Sequence, residues 1–81
     1  MKFYRLNYDF GDPLKRSIFK HYQSYDNAKR TMDQLINQAL TQKGAKKYGY
    51  PNPKHFLNYV WVANNDHTIL DVTITELSME D

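Results

Sequence analysis

The chain has 81 residues, a net charge of +2, 41% hydrophobic and 15% aromatic residues, and no cysteine. That length makes one domain, here 1–81, with a small core; the composition excludes a disordered chain, and the missing cysteine excludes a disulfide framework or a thiolate site. No apolar run approaches the ~20 residues of a membrane span, and the opening MKFYRLNYDF alternates where a signal peptide would be continuously apolar, so a soluble, cytoplasmic protein is expected.

Residues 3–10, FYRLNYDF, place Tyr4, Leu6, Tyr8 and Phe10 on one side and Arg5, Asn7 and Asp9 on the other. A period of two is a strand with one buried face. Gly-Asp-Pro at 11–13 favours a turn. Residues 15–22, KRSIFKHY, then read as a strand returning in a hairpin. Their alternation is poorer, and an irregular loop or short helical turn competes with that reading.

Residues 25–42 form the clearest element. Tyr25, Ala28, Met32, Leu35, Ile36, Ala39 and Leu40 recur at steps of three and four, one apolar stripe on a helix. Ser24 stands at the N-cap position, and Asp26 places a carboxylate in the first turn, where the helix dipole favours it. Gly44 suits a left-handed cap after the last turn. The outer face is rich in amides, with Arg30 its main charge.

Residues 43–56, KGAKKYGYPNPKHF, hold four lysines, two tyrosines and no acid, and read as a basic loop. Two strands follow, 56–63 (FLNYVWVA) and 68–77 (TILDVTITEL), β-branched and aromatic in content. Asn-Asn-Asp-His at 64–67 supplies a hairpin turn, since Asn and Asp tolerate positive φ. The tail after residue 77 reads as frayed.

The expected fold is α+β: ββαββ, or βαββ if the second strand fails, with one amphipathic helix packed on an antiparallel sheet. One helix covers one sheet face. If Val60 and Val62 face it, Tyr59 and Trp61 face away. Such a patch fits a partner protein or a second copy of this chain; the opposing expectation is that segment 43–56 folds over it.

Charge is divided along the chain. All eleven lysines and arginines lie in residues 1–54 with four acids, giving +7; residues 55–81 hold five acids and no lysine or arginine, giving −5. Such asymmetry marks an interaction surface or two halves of one fold attracting each other.

Catalysis is not expected. Ser17, Ser24 and Ser78 lack an elbow motif, His21, His55 and His67 lack metal-ligand spacing, the acids are scattered, and Gly11, Gly44 and Gly49 fit no phosphate cradle. No metal or other cofactor is expected, and the motifs point to no known family.

Two functions remain. The first expectation is a non-enzymatic protein-binding module using Tyr59, Trp61, Tyr48 and Tyr50, since Tyr and Trp give contact area at low entropy cost. In length and architecture the chain is similar to short phage and mobile-element proteins that inhibit or assist a larger protein, an analogy that by itself gives no function. The second is nucleic-acid binding, with Arg30, Lys43, Lys46, Lys47 and Lys54 neutralising phosphates and Tyr48 and Tyr50 stacking on bases. A plain solvated loop is the competing account of those lysines.

Overall fold

The computed structural model describes residues 1–11, 17–65 and 67–78. The expected turn residues 12–13, the start of the 15–22 strand, Asp66 and the end of the tail lie outside them. The elements run β1 (Lys2–Asp9), β2 (Ile18–Tyr22), α1 (Tyr25–Ala39), β3 (Ala45–Gly49), β4 (Asn58–Asn64) and β5 (His67–Ser78). The five strands form one antiparallel sheet in the order β2-β1-β5-β4-β3, and the helix packs on one side of it. The fold is α+β, as the element pattern implies.

The alternation of β1 reappears as two faces. Leu6 and Tyr8 are buried; they sit in register with Ile74 and Val72 of β5. Val62 of β4 pairs with Leu70, and all of these meet Ala28, Met32, Ile36 and Ala39 from α1 in one core. The helix stripe thus lands on the face set by the even-numbered strand residues. Two tyrosines fasten the helix: the Tyr22 hydroxyl donates to Thr31 Oγ1 (3.0 Å), and the Tyr25 hydroxyl donates to Asn58 Oδ1 (2.6 Å).

Ser24 is the N-cap, its Oγ accepting the Asn27 N–H. The other end differs from expectation. The helix stops at Ala39, and its last carbonyls are met locally: those of Gln38 and Ala39 accept from the Thr41 and Gln42 N–H groups. Gly44, at φ +79°, lies beyond this turn and steers the chain into β3 instead of capping α1. Only glycine enters that region without strain.

Segment 43–56 is not all loop. Ala45–Gly49 pairs along β4 as the outermost strand. Its residues are almost all exposed, so burial leaves no pattern in the sequence; ladder hydrogen bonds hold it instead.

A bulge interrupts β5. Ala63 pairs with Thr68 and Val62 with Leu70, leaving Ile69 as the extra residue. Ile69 and Leu70 are consequently both buried. Asn65 takes φ +43° in the turn from β4 to β5, as the Asn-rich turn predicts. No described helix is long and apolar enough to cross a membrane.

Candidate functional site

Alternation on β4 sends Val62 into the core and Trp61 and Tyr59 to the opposite face. Tyr48 of β3 is in register with Trp61, so it joins that face, and Tyr50 follows two residues on. The four rings touch. Tyr48 stacks on Trp61 with centroids 5.7 Å apart and planes 17° apart. Tyr50 lies 5.0 Å from Trp61 and 5.1 Å from Tyr59. Phe56 closes edge-on against Tyr59 at 5.6 Å. Of the five rings, Tyr50 and Tyr48 are the most open, 56% and 45% exposed, while Trp61 and Tyr59 are half-buried.

Segment 43–56 thus wraps the edge of the Trp–Tyr patch without sealing it. Pro53 and Lys54 extend this wrap, and a cavity of about 390 Å³ opens between them, Tyr50, Phe56 and Tyr59.

The face has a polar middle. The Tyr59 hydroxyl donates to Asp71 Oδ2 (3.0 Å), and Asp71 stands opposite Trp61 on one side and Asp9 on the other. Burial first, then the Asp9 charge, push the Asp71 carboxyl above the ordinary carboxylate range, while the Tyr59 hydrogen bond pulls it back. Burial, followed by the bond to Asp71, raises the Tyr59 phenol as well. Next to them Thr73, 6% exposed, pairs with Asn7 and Tyr59. Its Oγ1 and the Asn7 Oδ1 are buried without a hydrogen-bond partner.

At the far end of the same face, Arg5 donates from Nε to His21 Nε2 (3.1 Å), and its guanidinium lies over Phe19 at 5.7 Å.

The basic residues do not form one track. Lys46 shares the Tyr48 side of β3, since both occupy alternate positions along it. Lys47 takes the other side. Lys43 and Lys54 flank the strand in sequence. Arg30 is exposed on α1, across the sheet from Trp61. None of these five residues forms an ion pair with another described residue. The attraction between the two oppositely charged halves reduces, among described residues, to Lys2–Glu76 at 3.5 Å.

Phe56 and Asp71 belong to the cluster but not to the residues expected from sequence. A register counted straight back from the Asn64–His67 turn puts Trp61 opposite Leu70, on the core side. The bulge at Ile69 shifts the pairing by one and brings Asp71 there instead. No three His, Asp or Glu side chains come together as a metal site among the described residues.

Comparison with known proteins finds no matching family model, no matching curated protein and no matching solved structure.

Proposed function

We propose that this chain is a small, non-enzymatic protein-binding module whose contact surface is the sheet face opposite α1, centred on Trp61, Tyr59, Tyr48 and Tyr50. The observation that carries the reading is the continuous contact of these rings, with two of them largely open to solvent. Partly exposed Tyr and Trp side chains gathered in one patch are the anchors of protein interfaces. A module of this size acts by occupying a surface, and stoichiometric blocking of a larger protein needs no chemistry of its own.

Charge favours a protein over a nucleic acid here. Asp71 lies directly beside Trp61, with Asp9 next to it. A base stacked on Trp61 or Tyr59 would bring its phosphate toward these carboxylates. Arg30 is across the sheet, and Lys46 and Lys47 point to opposite sides of β3, so no row of cations follows the rings.

Two experiments test the reading. A mixed-sequence single-stranded oligonucleotide is titrated into the protein across a salt series, and a natively expressed bait is compared with its Trp61→Ala variant for partner capture. Loss of capture in the variant with no oligonucleotide binding supports the module. Oligonucleotide binding whose log affinity falls steeply with log salt would mean phosphate neutralisation; it would transfer the site to Lys43, Lys46, Lys47 and Lys54.

A further inference from the structure

β3 ends the sheet, and its free edge has a definite hydrogen-bonding pattern. The Tyr50 N–H donates to the Tyr59 carbonyl (3.1 Å), so Tyr50 and Tyr59 form a hydrogen-bonded pair. Such pairs alternate along an antiparallel ladder. Tyr48 and Lys46 therefore also turn their backbone groups toward β4. Lys47 and Gly49 turn theirs away. The Ala45 N–H is taken by the Gln42 carbonyl, which closes the start of the edge. What stays open is the N–H and C=O of Lys47 and of Gly49, the spacing that one further strand requires.

The side chains along this edge select what can be added. Lys46 and Lys47 are adjacent on it, Lys43 and Lys54 flank it, and residues 43–56 contain no acid. Lysines on an edge oppose pairing with a second copy, since two β3 strands would bring four ammonium groups together. The same lysines favour a carboxylate-bearing strand. The face acids do not interfere: β5 lies two strands inward, so an added strand is about 14 Å from Asp71 at the ordinary strand spacing. The stacked Tyr48 and Trp61 offer an apolar seat beside the lysines. The opposite edge, β2, carries Lys20 alone among its cations of fixed charge.

We infer that β3 is the seam at which the partner adds a strand: an extended segment with adjacent acidic residues facing Lys46 and Lys47 and an aromatic or aliphatic side chain laid on Tyr48 and Trp61. Main-chain bonds to Lys47 and Gly49 supply the pairing, and the side chains supply the choice. This inference rests on the protein-binding reading above and specifies the partner's chemistry for it.

The test uses the full chain and a blocked hexapeptide with two adjacent glutamates beside a phenylalanine. Amide exchange and chemical shifts are followed by NMR. Expected are slowed exchange at Lys47 and Gly49, movement of the Trp61 indole signal, and binding about tenfold weaker for the same peptide with lysines in place of the glutamates. A peptide N-methylated at alternate residues loses binding. Gly49→Pro, which deletes an N–H that β4 does not use, loses it as well. Equal binding by the N-methylated peptide, with Trp61 shifted but Lys47 and Gly49 unprotected, overturns the strand addition and leaves the aromatic face as the site. No binding of the acidic peptide, or equal binding of the lysine peptide, overturns the inference outright.

Discussion

Tyr48 lies on Trp61 across the β3–β4 ladder, ring centroids 5.7 Å apart and planes inclined by only 17°. The contact joins an exposed edge strand to the strand behind it, and it sits on the face that α1 leaves uncovered. Trp61 is thereby held by other aromatics and not by the core. Trp61→Ala is expected to cost about 1–3 kcal/mol through lost ring contacts and to leave one cooperative urea transition. Leu70→Ala, at a fully buried position, should cost about 2–5 kcal/mol. A Trp61→Ala chain that is unfolded would make the patch part of the core.

Thr73 gives a prediction of opposite sign. Its hydroxyl is buried without a partner, and valine has nearly the same shape. Thr73→Val should stabilise the fold by about 1 kcal/mol, because an unmet buried hydroxyl carries its desolvation cost uncompensated. A higher urea midpoint confirms it. A lower one would mean that the hydroxyl has a partner worth keeping.

The Asp71 carboxyl is raised in the folded protein, chiefly by burial. Between the ordinary carboxylate value of 3.8 and the raised one, the native state holds more protons than the unfolded state. Stability contributed by this group therefore falls as pH rises through that window, and at neutral pH the ionised form weighs against folding. Asp71→Asn keeps an acceptor for the Tyr59 hydroxyl and removes the charge. It should raise the urea midpoint at neutral pH and match the parent more closely near pH 4. A variant less stable than the parent at neutral pH would contradict this.

Two glycines should respond differently to alanine. A Cβ at Gly11 would stand 1.7 Å from the Thr68 carbonyl oxygen, a backbone atom that cannot step aside alone. Gly11→Ala should cost about 1–3 kcal/mol, as overpacking does. A Cβ at Gly49 would meet nothing closer than 3.4 Å, so Gly49→Ala should change the thermal midpoint little. Equal effects would refute the close approach at Gly11.

Much of this fold is legible in residue order. β1, α1, β4 and β5 each bury one face, and burial writes itself as a period of two or of three to four. β3 does not, because Lys46, Lys47, Tyr48 and Gly49 are all exposed and no apolar alternation remains to be seen. Gly44 looks like a helix cap because it follows the apolar stripe, yet the chain first makes a turn through Thr41 and Gln42. The outward placement of Tyr59 and Trp61 follows from Val60 and Val62 alone. The arrival of Asp71 beside them does not, since a single extra residue at Ile69 reverses which side of β5 each residue takes. The lysines are close in sequence and suggest one patch, but the pleat divides Lys46 from Lys47, and the sheet divides Lys46 from Arg30.

The central claim is that the aromatic face, and not the helix, meets a protein partner. The most direct measurement is photo-crosslinking in the native host, with benzoylphenylalanine placed at Tyr50 in one variant and at Gln34, on the exposed side of α1, in another. The account predicts a discrete protein adduct from position 50 that disappears when Trp61→Ala is added, and none from position 34. An adduct from position 34 alone, or a nucleic-acid adduct from position 50, would contradict it.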